Sequence, residues 1–227
     1  MQSVLETLGI TLDSSPSPSP SDLRVEHATI TATSPDVATL RLTSGEQAVL
    51  PISEYYQDRT WSVGDVLVVI VDASSSRLIA SVTRPELVSS IFDGLVPELR
   101  SGTVRVMSVA RAAGQRSKIA VAATAPGVDP VAALIGREAN RVRYVSTLLG
   151  LEAIDIVAWH PDQKIYLANA LAPARVARIE IDGRVATAYA PRHQMAQAVG
   201  KFGLNSQLAG QLLGLSVTVS ADGSQHI

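Results

Sequence analysis

The 227-residue chain contains no cysteine. Disulfides and thiolate metal centres are thereby excluded. Histidine is scarce: His27, His160, His193 and His226 are scattered and show no metal-ligand spacing. No metal site and no cofactor is expected. No apolar run approaches the roughly 18 residues that a membrane-spanning helix needs. Residues 1–6, Met-Gln-Ser-Val-Leu-Glu, lack the basic region of a secretory signal. A cytoplasmic protein without a membrane partner is the expectation. Catalytic patterns are missing as well. There is no Ser/His/Asp or Cys/His arrangement, and neither glycine turn at Gly136 or Gly200 continues into Gly-Lys-Ser/Thr. Asp129 and Asp155 read as single carboxylates without a visible partner. The chain is expected not to be an enzyme.

What is present is a substantial apolar content. Hydrophobic residues make up 46% of the chain, enough to pack a core, and the length suits two or three small domains. The net charge of −2 conceals an asymmetry. Residues 1–97 carry 5 Lys/Arg against 12 Asp/Glu, whereas residues 98–227 carry 14 against 9. A basic C-terminal region points to local anion binding.

Residues 2–10 could form a short amphipathic helix, with Val4, Leu5, Leu8 and Ile10 apolar. The alternating Ser-Pro run at 14–21 permits neither a helix nor a central strand and reads as an extended linker. From Leu23 the pattern alternates. Strands are predicted at 25–32, 37–42, 46–51, 66–71 and 77–82, the fourth apolar enough to be buried on both faces. Five short strands in this span predict a small closed barrel, commonly an OB-fold.

Beyond the barrel the order helix–strand–strand–helix–break–helix–strand occurs twice. In the first copy the strands are predicted at 103–110, 117–123 and 153–159, and the helices at 131–135 and 140–149. In the second copy the strands are predicted at 175–181, 184–190 and 215–220, and the helices at 162–171, 193–199 and 204–213. Asp182-Gly183 supplies a hairpin turn. The copies align Ala133-Leu134-Ile135-Gly136-Arg137-Glu138-Ala139 with Gln197-Ala198-Val199-Gly200-Lys201-Phe202-Gly203. A Gly-x-x-Gly hinge with a basic residue inside it, opening a helix, suits close approach of backbone to phosphate. The order is that of KH-type RNA-binding domains.

Several separate stretches carry a family resemblance. They include Thr83-Arg84-Pro85-Glu86-Leu87-Val88, Val96-Pro97-Glu98-Leu99-Arg100-Ser101-Gly102-Thr103-Val104 and Arg116-Ser117-Lys118-Ile119-Ala120-Val121. Pro126-Gly127-Val128-Asp129-Pro130-Val131, Ile154-Asp155-Ile156-Val157 and Ala168-Asn169-Ala170-Leu171-Ala172-Pro173-Ala174 follow in order. Over roughly 23–219 the chain resembles the RNA-binding core of the NusA family of bacterial transcription elongation, termination and antitermination factors. The resemblance implies an α+β multidomain chain: an N-terminal five-stranded OB-fold (S1-type) β-barrel followed by two tandem type II (prokaryotic) KH domains. The expected bounds are an N-terminal peptide and Ser/Pro linker at 1–22, the barrel at 23–84, the first KH domain at 85–160 and the second at 161–227.

Two departures stand out. Only a short peptide precedes the barrel where the family has a polymerase-docking domain, so polymerase binding does not carry over directly. The first hinge ends in Ala139 in place of glycine, which takes φ > 0 only at a cost, and Glu138 sets a negative charge beside the expected phosphate. The first hinge is therefore expected to bind RNA more weakly than the second.

The implied function is an RNA-binding transcription factor that holds nascent single-stranded RNA and modulates pausing, termination or antitermination. RNA polymerase or other elongation factors stay open as partners. A non-catalytic scaffold with weak RNA binding, and an RNA chaperone or ribosome-assembly factor, are the alternatives. The expected RNA-binding residues are Gly200, Lys201, Phe202, Gly203 and Asn205 in the second domain. In the first they are Gly136, Arg137, Arg141 and Arg143, with Arg111, Arg116 and Lys118 on or beside the hairpin. Val199, Leu204 and Leu208 are candidate apolar contacts for bases, with core packing favoured for Leu208. In the barrel the candidates are Arg24, Arg41, Tyr55, Tyr56 and Trp61.

Overall fold

The computed structural model describes residues 22–54, 61–74 and 77–222. The expected helix at 2–10, the Ser-Pro linker, Tyr55 and Tyr56 lie outside the described residues.

The first unit is a closed five-stranded barrel in the order β1-β2-β3-β5-β4. Its strands are β1 (Leu23–Thr33), β2 (Val37–Leu42), β3 (Gln47–Pro51), β4 (Val66–Asp72) and β5 (Leu78–Ser81). β1 pairs antiparallel with both β2 and β4, and β3 closes on β5 in parallel. Alternation dictates the inside: Ala38, Leu40 and Leu42 of β2 are buried while Arg41 between them is exposed. The central β4 residues Val69, Ile70 and Val71 are all buried, as the unbroken apolar run predicts.

The second unit holds the duplicated pattern. Its first half contains helices α1 (Glu86–Leu95) and α2 (Pro97–Arg100) and the strands β6 (Val104–Ala112) and β7 (Arg116–Ala123). Helices α3 (Pro130–Ile135) and α4 (Asn140–Leu148) and strand β8 (Ala153–Ala158) follow. Its second half is α5 (Gln163–Ala170), β9 (Arg178–Asp182), β10 (Val185–Ala190), α6 (Met195–Val199), α7 (Leu204–Leu213) and β11 (Ser216–Ala221). Each half forms a three-stranded sheet, β6-β7-β8 and β9-β10-β11. In both, the first two strands are antiparallel and the last is parallel to the middle one. The helices start where the sequence supplies caps. Asp129 accepts from the Val131 and Ala132 amides with Pro130 in the first turn, and Asp162 accepts from Lys164 and Ile165. Asp129 is thus a helix cap.

The two halves share one core. Ala110, Ala120 and Val157 of the first sheet pack with Tyr166, Leu167, Ala170 and Leu171 around α5 and with Leu208, Ala209 and Leu212 of α7. Small residues on the first sheet let the second half's helices approach closely. The Ser108 hydroxyl, 2.8 Å from the Tyr166 phenol, donates to the Leu212 carbonyl. Leu208 is a core residue at 1% exposure, so it is unavailable as a base contact.

Candidate nucleic-acid interface

The hinge between α6 and α7 is built from two left-handed residues in succession. Gly200 sits at φ 77°, ψ 169°, Phe202 at φ 56°, ψ 23°, and Gly203 at φ 77°, ψ 7°. A Cβ on Gly200 would lie 2.6 Å from the Asn205 Cβ and 2.8 Å from its backbone nitrogen, so this glycine is required by space as well as by angle. The Gly200 and Gly203 amides are consumed internally, donating to Ala196 and Gly200. The amides of Lys201 and Phe202 are the ones left to consider for a phosphate.

The first hinge follows the same path. Gly136 is at φ 73°, ψ 169°, Glu138 at φ 53°, ψ 29°, and Ala139 at φ 58°, ψ 26°. Its Gly136 and Ala139 amides donate to Ala132 and Gly136, matching the second hinge bond for bond. The sequence leads one to expect alanine to resist this conformation. Ala139 adopts it, at a cost of about 1–2 kcal/mol for an L-residue in the left-handed region. Arg143 braces the loop by donating to the Glu138 carbonyl. The hinges therefore differ in side chains rather than backbone. Arg137 and Glu138 are both exposed and 4.0 Å apart, so the first hinge carries a weak charge pair. The second carries Lys201 beside Phe202, whose side chain is 85% exposed and has the ammonium 5.2 Å from the ring centroid.

Several expected RNA contacts have other duties. Asn205 is buried, and its Nδ2 donates to Leu171, Gln197 and Ala198 carbonyls at 3.0, 3.2 and 3.1 Å. It ties the start of α7 to the open end of α6. Arg141 is half-buried and donates to the Ala133 carbonyl and toward Glu98. Arg111 is a buried ion-pair member: its Nε and Nη2 reach Glu152 at 3.0 and 2.9 Å, and its Nη1 donates to Arg84. Glu152 also accepts from the Gly114 amide and the Ser117 hydroxyl. Four donors satisfy this carboxylate, which is what a buried charge requires.

Lys118 is likewise inaccessible, at 0% side-chain exposure, and donates to Asp155 at 2.7 Å across the β7–β8 pairing. Arg116 binds the same carboxylate through Nε at 2.7 Å and Nη2 at 2.9 Å. Asp155 is thus a doubly paired charge. Its burial alone would push the carboxyl up, but the bonds from Arg116 and Lys118 outweigh it and hold it below the usual carboxylate range. Burial pulls the Lys118 ammonium down, with Asp155 opposing. Lys118 and Arg111 are missed as structural residues because their partners, Asp155 and Glu152, lie more than thirty positions away in the chain.

Two clefts remain. One, of about 340 Å³, follows β8, lined by Ile135, Ala139, Val142, Ile154 and Ile156 and ending at Asn169 and Pro173. The other, of about 600 Å³, lies between the β6–β7 turn and the second hinge, lined by Gln115, Arg116, Ala153, Lys201, Phe202 and Leu204. In the barrel, Arg24 pairs with Glu26 and Glu46. Trp61 is 8% exposed, too covered to stack on a base. Among the described residues, no group of three His, Cys, Asp or Glu side chains could hold a metal ion. No helix among them is long and apolar enough to cross a membrane.

Comparison with known proteins agrees with this duplication. Residues 82–159 match the NusA-like first KH domain, and residues 163–226 match the NusA-like second KH domain. The transcription termination/antitermination protein NusA of Halalkalibacterium halodurans is 36% identical over 183 residues, covering 78% of this chain and 48% of that one. Its Bacillus subtilis counterpart is 34% identical over 183 residues, covering 78% and 49%. That of Thermus thermophilus is 34% identical over 178 residues, covering 75% and 46%. The chain spans about half the length of the curated relatives it matches. Through its two matched domains, the chain belongs to the NusA-like KH family.

Proposed function

We propose that the chain binds single-stranded RNA along its two KH domains and acts on the nascent transcript in the cytoplasm, modulating pausing, termination or antitermination. The observation that carries this is the pair of hinges with one backbone geometry, each opening a helix beside a groove. Gly200, Lys201, Phe202 and Gly203 form the stronger phosphate and base contact. Gly136, Arg137 and Arg143 form the weaker one, since Glu138 offsets Arg137. Ile135, Val142, Ile154 and Ile156 offer apolar walls for unstacked bases.

In this reading the barrel at 23–84 is an S1-type OB-fold, supported by its strand order, and the domains at 85–160 and 161–227 are type II KH domains, supported by their parallel last strand. The barrel contributes little to RNA affinity, because Arg24 is spent on carboxylates. RNA polymerase is a candidate partner, because the relatives are transcription termination/antitermination proteins. The test is RNA binding by the full chain with Gly200→Asp and Gly203→Asp. Loss of most affinity is expected, and unchanged affinity removes the second hinge from the mechanism.

A further inference from the structure

The chain contains three Asp-Gly dipeptides, beginning at Asp93, Asp182 and Asp222. In such a pair the glycine nitrogen can reach the preceding side-chain carboxyl carbon, because no Cβ crowds its approach. Reaction between the two makes three demands. The amide must be free, the carboxyl must be free, and the backbone between them must be able to turn.

The fold separates the three dipeptides. Asp93 and Gly94 lie inside α1, where an amide donates to the carbonyl four residues back and rotation would break the helix. Gly223 lies outside the described residues. Asp182 and Gly183 stand at the tip of the β9–β10 hairpin. Asp182 pairs with Val185, which leaves Gly183 and Arg184 as the loop, and positions 182–185 are all exposed. Gly183 is at φ 56°, and a Cβ placed on it would meet nothing within 4 Å. Its amide donates to no group among the described residues. The Asp182 carboxylate has neither a hydrogen bond nor an ion pair among them. The neighbouring cation, Arg184, is turned to the Gly214 carbonyl at 3.4 Å. In its sheet β9 is an edge strand held by β10 alone, so rotation at Asp182 is resisted from one side only.

We infer that Asp182–Gly183 is a site of spontaneous backbone isomerisation. The Gly183 nitrogen attacks the Asp182 side-chain carboxyl carbon. A C–N bond forms, the amide proton and a hydroxyl leave as water, and a cyclic imide results. Water then adds to the ring carbonyl on the main-chain side, and the C–N bond there breaks. The chain now runs through the side chain, and the former main-chain carbonyl is a free carboxylate. One water is lost and one is regained, no electrons are transferred, and the net charge is unchanged. The product is an isoaspartyl residue whose main chain is longer by one carbon. Asp182 then no longer sits in register opposite Val185, and the pairing of β9 loosens from its tip. Because β9 carries Ile179 into the shared core, the loosening reaches the packing of the second domain.

The test incubates the full chain at neutral pH and physiological temperature. Trypsin then releases Ile179–Arg184 and a peptide ending at Arg100 that holds Asp93. Electron-transfer fragmentation distinguishes isoaspartate from aspartate in each. In the folded chain at least about tenfold more isoaspartate is expected at 182 than at 93, since a helical amide must open before it reacts. In denaturant both dipeptides are free, and the two rates are expected to converge. Gly183→Asn tolerates the positive φ while crowding the nitrogen, so isoaspartate at 182 should fall toward the level at 93. Amide exchange at 178–190 should be faster in the incubated chain than in fresh chain. If no isoaspartate forms at 182, or if 93 matches it in the folded chain, the site is wrong. If isoaspartate forms there without faster exchange in β9, the loosening is overturned and the modification is silent.

Discussion

Arg141 and Asn205 occupy the same position in the two domains, five residues past the first glycine of each hinge. Each turns its side chain back on the preceding helix. Arg141 donates to the Ala133 carbonyl and Asn205 to the Gln197 carbonyl, and these two acceptors are themselves aligned in the duplication. The carbonyls at the end of a short helix have no intrahelical partner, and a hinge that reverses direction exposes them. A side-chain donor from the next helix closes that gap and holds the hinge in shape. Two different side chains perform one task.

Removing that brace should loosen the second hinge. Asn205→Ala leaves the Leu171, Gln197 and Ala198 carbonyls without this donor. A loss of about 2 kcal/mol is expected for such a buried donor. Denaturant unfolding gives the magnitude, and faster amide exchange at 200–205 would locate it.

The two hinge glycines should differ sharply. Gly200→Ala meets Asn205 at 2.6 and 2.8 Å and must also hold a positive φ, whereas at Gly203 a Cβ meets nothing within 4 Å. Gly203→Ala should cost about 1–2 kcal/mol, the price of the angle alone, and Gly200→Ala should exceed it by about 1–3 kcal/mol for the overlap. Ala139 is the natural precedent for the milder change. Equal unfolding midpoints for the two variants would contradict this ordering.

Asp155 neutralises a fully buried ammonium. Asp155→Asn leaves Lys118 without its counter-charge, and a loss of about 3 kcal/mol is expected, at the low end for a buried pair because Asp155 is itself 25% exposed. Adding Lys118→Met should recover much of that loss by replacing the stranded charge with apolar volume. Failure of the second change to rescue stability would place the cost elsewhere.

The same carboxyl sets an acid dependence. Its folded pKa lies below the unfolded one, so its contribution is fully present above the ordinary value of about 3.9 and is lost as pH falls through the depressed folded value. Thermal melting across the acid range should show a steeper fall for wild type than for Asp155→Asn.

Salt dependence separates phosphate contacts from structural cations. Lys201→Gln should flatten the slope of log affinity against log salt by about 0.7, as expected for one single-strand phosphate contact. Lys118→Met should leave the slope unchanged, because its ammonium is buried and paired. A flatter slope for Lys118→Met would return that residue to the RNA surface.

Local chemistry made most of the architecture legible in the chain. Alternation marked the barrel strands and the duplicated order marked both KH-like halves with their hinges, while Asp129 and Asp162 supply local helix caps that the structure revealed. Each of these signals acts over a few residues, through pleat geometry, capping bonds or glycine's freedom of φ. The open position of Phe202 and the shared path of the two hinges depended on packing. An alanine can be held left-handed when the elements around it leave no alternative.

What the sequence alone determined is the duplication, its order and the presence of a hinge in each copy. Only the tertiary structure decided which basic residues are free. Arg111 and Lys118 read as surface cations because a charge in a linear pattern carries no record of its partner. Glu152 and Asp155 reach them through parallel strand pairing and an intervening helical excursion, and burial turned two expected RNA contacts into internal ion pairs. The same packing brought the second hinge against the first domain's turn, a juxtaposition that neither segment encodes by itself.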